Sequence, residues 1–278
     1  MLPKKIMIVG LGLMGGSLAA TCRKKFPKSE IVGISRDKKA VSFAKKKKWI
    51  NSGGSNSVLF LRDVDLVILC TPIDVIPQFL KQIDEHIDRT VIVTDVGSVK
   101  ESIQKKVNRM RLKHVQFVGA HPMVGSHVRG IASADPLLYE KGLTFIIQNK
   151  NISIKNQAFV KKFWQKISSK VISTSAEKHD QIVANTSHLP HMIASCLIQT
   201  LPNSLMQQVS SGFKDSTRIA AGHESIWLPI FLENKNAVSV AIRAFQKELK
   251  SFEGLLRTEN SDKLKEYLQR SRQKREKI

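Results

Sequence analysis

The chain has 278 residues, with 45 lysines and arginines against 23 aspartates and glutamates, a formal charge of +22, and 42% hydrophobic residues. That length suits two domains or one large one, and the apolar content excludes disorder for most of the chain. No run approaches the ~18 uncharged apolar residues of a membrane span, because Arg62, Asp63 and Asp65 interrupt the apolar stretch 58–70. No apolar segment of signal-peptide length precedes the first glycine motif, so the expected compartment is the cytoplasm, with no membrane partner. Cys22, Cys70 and Cys196 stand far apart inside apolar patterns, which predicts reduced core residues. The positive charge is densest at 45–48 and 270–277. No basic segment interleaves with aromatic stacking residues, so these are read as solvated faces and no nucleic-acid partner is expected.

Residues 5–9 form a short β-branched run, followed by Gly10-Leu11-Gly12-Leu13-Met14-Gly15-Gly16-Ser17 and a helical pattern through Lys25. A β run at 31–35 and a helix over 38–48 complete a βαβα unit. The near-continuous apolar runs 66–70 and 91–95 predict strands of a parallel sheet covered on both faces, with helices over 73–86 and 99–110. Further strands are expected at 117–120, 142–148 and 170–174, the last after an amphipathic helix over 156–168. This is the α/β pattern of a Rossmann-type doubly wound sheet domain, filling residues 1–174. From about Ala176 apolar residues recur at three- and four-residue spacing, so an all-helical domain is expected over 175–278, ending in a frayed basic tail. Its wide apolar stripes, on a segment too short to enclose them, predict a homodimer through this domain.

The Gly10/Gly12/Gly15 spacing lies between a strand and a helix, where a dinucleotide fingerprint requires it. The first glycine permits the turn, the second lets backbone approach a diphosphate, and the third allows close helix–strand packing. Gly10, Gly12, Leu13, Met14 and Gly15 are therefore the expected cofactor cradle. At the end of the second strand stand Ser35 and Arg36, a hydroxyl and a guanidinium suited to a 2′-phosphate, which predicts NADP. Asp37 beside them keeps NAD possible.

Thr71 and Pro72 end one strand, and Asp95-Val96-Gly97-Ser98-Val99-Lys100 ends the next, both at the carboxyl edge where open sheets bind ligands. Ser98 and Thr71 are candidates to contact nicotinamide or substrate, and Ser98 could instead cap the following helix. His121, in Gly119-Ala120-His121-Pro122-Met123-Val124-Gly125, follows a predicted strand at the same edge and is the candidate general base. In the helical domain His188 and His191 sit three residues apart on nearly one helix face, and Arg218 adds a guanidinium. Together they could clamp a carboxylate. No carboxylate or cysteine stands at ligand spacing from the two histidines, so no metal is expected.

VGLGLMGGSLA at 9–19, LCTP at 69–72, TDVGSVK at 94–100, GAHPMVGS at 119–126, SHLPH at 187–191 and SGFKDSTRIA at 211–220 resemble the prephenate/arogenate dehydrogenase family of tyrosine biosynthesis. The resemblance spans nearly the whole chain. It implies oxidative decarboxylation of a cyclohexadienyl acid, giving 4-hydroxyphenylpyruvate from prephenate or tyrosine from arogenate, with hydride transfer to NADP or NAD. It also implies that the serine matching Ser98 bonds the catalytic histidine and the cofactor, that Arg218 binds a substrate carboxylate, and that His188 and His191 are substrate-side residues. His127 stands where many prephenate-using members place a glutamate near the substrate side chain, and Pro229 where relatives often have an acidic residue. Ser35-Arg36 resembles the NADP-using arogenate members, which implies arogenate ahead of prephenate. The alternative classes are a β-hydroxyacid dehydrogenase or imine reductase, which would not need the HPMVG and SHLPH segments, and a non-catalytic NADP-sensing protein.

Overall fold

In the computed structural model, which describes residues 2–125 and 128–278, the first part of the chain alternates strands and helices. β1 (Lys5–Val9), α1 (Leu13–Lys25), β2 (Glu30–Ile34), α2 (Lys38–Lys46), β3 (Ser52–Gly54), β4 (Leu66–Leu69), α3 (Ile76–Glu85), β5 (Val91–Asp95), α4 (Glu101–Arg109) and β6 (Val115–Phe117) form the doubly wound unit. Its six parallel strands have the order β3-β2-β1-β4-β5-β6. The order reverses between β1 and β4, and this switch point opens a crevice at the carboxyl ends of the strands.

Successive strand side chains point to opposite faces, so a sheet clothed on both sides needs apolar residues at every position. Ile6, Ile8, Leu66 and Ile68 pack with Leu18 and Cys22 of α1 on one face. Met7, Val9, Val67 and Leu69 pack with Leu80 and Ile83 of α3 and Ile103 of α4 on the other. β3 carries no such pattern. It is defined by its ladder to β2, and a Cβ on Gly53 would lie 2.1 Å from the Gly33 carbonyl oxygen. Close backbone approach, rather than side-chain burial, places this edge strand.

The apolar run 117–120 does not form one strand. β6 ends at Phe117, and β7 (Ala120–Pro122) belongs to a second sheet with β8 (Leu143–Ile147) and β9 (Lys170–Thr174), reached through α5 (Ile154–Ile167). β7 is antiparallel to β8, and β9 is parallel to it. The break has a local cause. Val118 N–H still donates to Val93 O at 2.9 Å, but Ala120 N–H donates to the Asp95 carboxylate at 3.0 Å, which draws the chain off the large sheet. His121 thus lies inside a strand, opposite Phe145, rather than in a loop after one.

Everything after β9 is helical. α6 (Ala176–Val183) continues through a π-helical turn, Ala184–His188, into α7 (Leu189–Thr200). α8 (Ser211–Thr217), a 3-10 turn at Arg218–Ala221, α9 (Glu224–Glu233), α10 (Lys235–Arg257) and α11 (Ser261–Arg275) follow. Of the 23 residues of α10 only Val238 and Ala241 are buried, while Leu228, Leu232, Val240, Leu249 and Leu256 are more than half exposed. The basic end is not frayed from residue 270: α11 runs to Arg275, held by an edge-on contact between Tyr267 and Phe252 at 5.4 Å. Cys22 is buried, whereas Cys196 departs from the expected core placement and is exposed on α7, because this domain covers its apolar residues only in part. Among the described residues no helix is long and apolar enough to cross a membrane.

Candidate active site

Gly10 follows β1 at φ +97°, and a Cβ there would meet Cys70 O at 2.5 Å, so only glycine makes this turn without strain. A Cβ on Gly15 would lie 1.8 Å from Gly10 O, which leaves α1 touching the turn backbone to backbone. Gly12 is different. A Cβ there would enter open space, at the N-terminus of a helix with no side-chain cap and no acidic residue in its first turn. Unpaired N–H groups and the helix dipole make that space an anion site.

Two adjoining cavities flank the turn. One of about 600 Å³ is lined by Gly10, Gly12, Ser35, Arg36, Asp37, Thr71 and Pro72 among others. The other, about 400 Å³, is lined by Gly12, Leu13, Met14, Thr71, Pro72, Ser98 and His121 among others. At their junction Thr71 Oγ1 is buried without a hydrogen-bond partner among the described residues, a group that a polar ligand atom would satisfy. Open space at Gly12, the uncapped helix and the orphaned hydroxyl all fit a dinucleotide. Asp37 is committed elsewhere: its carboxylate caps α2 by accepting from Lys39 N–H at 2.8 Å.

The turn after β5 carries Ser98 and is anchored by Asp95, whose carboxylate accepts from Gly97 N–H and Ala120 N–H, each at 3.0 Å, and pairs with the buried Lys100 ammonium. Ser98 lines the smaller cavity and does not cap α4. Lys100 holds the cap position, and Asp180 of α6 supplies the missing acceptor, taking Lys100 N–H on Oδ1 and Glu101 N–H on Oδ2, both at 2.9 Å. A carboxylate from the helical domain thereby caps a helix of the sheet domain. Among the described residues no hydrogen bond joins Ser98 to His121, although both line the same cavity.

Asp180 Oδ1 also accepts from His179 Nδ1 at 2.7 Å, and His179 Nε2 lies 2.9 Å from His121 Nδ1. An ionised carboxylate only accepts, so His179 carries its proton on Nδ1 and its Nε2 must accept. His121 then donates from Nδ1 and keeps Nε2 as a lone pair for the cavity it lines. Burial is the largest cause that holds His121 well below the ordinary imidazole range, with His179, Lys100 and His188 adding to it. At neutral pH it is an uncharged base. His179 and Asp180 carry no recognised motif: the only sequence signal is an adjacent His-Asp pair just after the last strand, and 58 residues separate His179 from the histidine it orients.

The helical-domain candidates are placed differently from expectation. His188 accepts on Nδ1 from Asn234 Nδ2 at 3.1 Å, and burial pushes its imidazole down to about 4. His191 lies flat on Trp227, ring centroids 3.6 Å apart. Both rings are buried, and neither lines the smaller cavity, because they pack against the aromatic face of α9. Arg218 is exposed and does not line it either, so no clamp of two imidazoles and a guanidinium surrounds this cavity. His127 lies outside the described residues. The helical-domain wall comes instead from Ser225, Ile226, Pro229 and Ile230 of α9. Arg129, after β7, faces them and donates from Nη2 to Ser225 Oγ at 2.6 Å.

A glycine cradle at the switch point of a parallel sheet, opening onto a neutral buried histidine, defines a Rossmann-type dehydrogenase that uses a nicotinamide dinucleotide. The comparisons with known proteins agree. Residues 18–173 match the family model "Prephenate dehydrogenase, nucleotide-binding domain", and 175–270 match "Prephenate dehydrogenase, dimerization domain". The chain belongs to the prephenate dehydrogenase family. It is 31% identical to a prephenate dehydrogenase of Lactococcus lactis, over 88% of this chain and 69% of that one. A crystal structure of prephenate dehydrogenase from A. aeolicus, in complex with hydroxyphenyl propionate and NAD+, is 32% identical and superposes with a TM-score of 0.90, covering 99% of this chain and 98% of that one. A Synechocystis arogenate dehydrogenase structure is 27% identical, with a TM-score of 0.85, covering 98% of this chain and 99% of that one.

Proposed function

We propose that the chain catalyses oxidative decarboxylation of a cyclohexadienyl acid, arogenate to tyrosine or prephenate to 4-hydroxyphenylpyruvate, with NADP preferred over NAD. The observation that carries this reading is the ordered series Asp180, His179, His121 at the wall of a cavity continuous with the glycine cradle. When bound, the nicotinamide supplies the hydride acceptor. His121 Nε2 takes the proton of the ring hydroxyl as hydride leaves the carbon that bears it, and the imidazolium so formed is stabilised through His179 by Asp180. The resulting ring carbonyl accepts the electron pair left as the ring carboxylate departs as CO2. Aromatisation drives that loss, and His121 returns its proton to the phenolate oxygen.

In this reading Ser98 and Thr71 position nicotinamide and substrate, a role that their place in the wall of the smaller cavity supports. Arg218, exposed in the turn packed against α7, is proposed to bind a substrate carboxylate, with His191 and His188 shaping that side through Trp227. Ser35 and Arg36 line the larger cavity and support the NADP reading, because the guanidinium can form charge-assisted bonds to a 2′-phosphate. Asp37, the residue that would favour ribose hydroxyls, is occupied as a helix cap.

The test is initial-rate formation of reduced nicotinamide with prephenate and arogenate, each crossed with NADP and NAD. Turnover with either acid supports the reaction, and silence in all four combinations overturns it. Arg36→Ala is expected to lower kcat/KM for NADP by roughly tenfold or more while leaving NAD little changed, the size of a lost bond to a charged group. Equal efficiency of the wild type with both cofactors counts against the phosphate assignment.

We also propose a homodimer through the helical domain, supported by the unburied apolar residues of α9 and α10. Leu232→Asp on α9 is expected to shift sedimentation at micromolar concentration from dimer toward monomer. A wild type that sediments as a monomer defeats the assignment.

A further inference from the structure

Of the described residues lining the cavity that holds His121, Arg129 is the one permanently charged side chain, and none is a carboxylate. Its guanidinium spans from the segment after β7 to the first turn of α9, where it donates to Ser225 Oγ at 2.6 Å. One donor of five is used there, and no ion pair engages the rest among the described residues. Beside it the wall is apolar, formed by Ile226, Pro229 and Ile230.

We propose that Arg129 is a specificity-determining residue that binds the side-chain carboxylate of the substrate and favours the keto acid over the amino acid. The proposal rests on the reaction assigned above. The two candidate acids share a ring carboxylate and a ring hydroxyl, and differ at one carbon, which bears either a carbonyl oxygen or an ammonium. A carboxylate flanked by a carbonyl can take the free edge of the Arg129 fork in paired, charge-assisted bonds. An ammonium brought to the same place meets a like charge, and the described lining offers no carboxylate to offset it. Ser35 and Arg36, which point toward arogenate by resemblance, lie in the other cavity and act on the cofactor's phosphate, not on this carbon.

The experiment is steady-state kinetics of the full-length wild type, Arg129→Lys and Arg129→Ala with prephenate and with arogenate, and with the dinucleotide varied separately. Dinucleotide binding and thermal melting report on folding. The wild type is expected to prefer prephenate in kcat/KM. Arg129→Ala should raise KM for prephenate by roughly tenfold to a hundredfold, the size of a lost bond to a charged group, with a smaller change for arogenate. Arg129→Lys keeps the charge and loses the fork, so it should fall between and remain informative if the alanine variant does not fold. Equal losses with both acids, no loss with either, a wild-type preference for arogenate, or a rise confined to the dinucleotide KM would overturn the role of Arg129 while leaving the reaction standing. Absence of turnover with either acid in the wild type sinks the reaction, and this inference with it.

Discussion

Replacing His121 by asparagine is expected to lower kcat by roughly a hundredfold to ten-thousandfold while leaving the dinucleotide KM near its wild-type value, the usual reach of a positioned base. Asparagine can still donate a hydrogen bond to His179, but it offers no lone pair of useful basicity to the ring hydroxyl. The pH profile supplies an independent check. The working form is the neutral imidazole, and burial disfavours its protonation, so the folded-state pKa lies below the ordinary 6.5. Activity is then present above that pKa and falls as pH drops through it. The wild type should show an acid limb with its midpoint below 6.5, and the asparagine variant should lack that limb. An unchanged kcat, or a limb that survives the substitution, would remove His121 from the proton transfer.

The second large effect is expected on stability. Lys100 is 2% exposed and pairs with Asp95, which is fully buried. Among the described residues, Lys100→Ala leaves that carboxylate with the Gly97 and Ala120 N–H groups alone. Stranding one member of a buried pair typically costs about 3–5 kcal/mol, whereas replacing both members by apolar or neutral groups of similar size costs far less. Urea unfolding of Lys100→Ala should show that loss, and Lys100→Met combined with Asp95→Asn should recover part of it. The damage should reach catalysis as well, because the same carboxylate holds the turn bearing Ser98 and Ala120 at the start of β7, immediately before His121. A loss below about 1 kcal/mol would place the pair among weakly coupled ion pairs instead.

Much of the fold follows from patterns that act over a few residues. β1, β4 and β5 are unbroken apolar runs because both faces of the sheet are covered, and that requirement can be read without knowing what covers them. The glycine cradle is equally local: Gly10 and Gly15 answer to backbone atoms of the same strand–turn–helix unit or the neighbouring strand end, and Gly12 opens at the start of α1. His121 and Ser98 were legible as candidates because each stands within three residues of the end of an apolar run, 117–120 and 91–95.

The remaining parts of the site depend on distant partners. That β6 and β7 belong to different sheets follows from Asp95 taking the Ala120 N–H, a contact across 25 residues. His179 and Asp180 lie on α6, and only the docking of the two domains turns an ordinary His-Asp pair into the group that sets the His121 tautomer and caps α4, 79 and 80 residues away. Packing within the helical domain buries His188 and His191 against α9 and leaves Arg218 exposed, and the docking of the two domains brings Arg129 to Ser225 across 96 residues. The amino-acid sequence by itself determined the parallel strands β1, β2, β4 and β5 and the cofactor turn, and marked His121 as the candidate base, since periodicity and backbone sterics are short-range. Only the tertiary structure decided which groups surround that base and in which protonation state they hold it, because burial and hydrogen-bond partnership arise from chain segments that no local pattern connects.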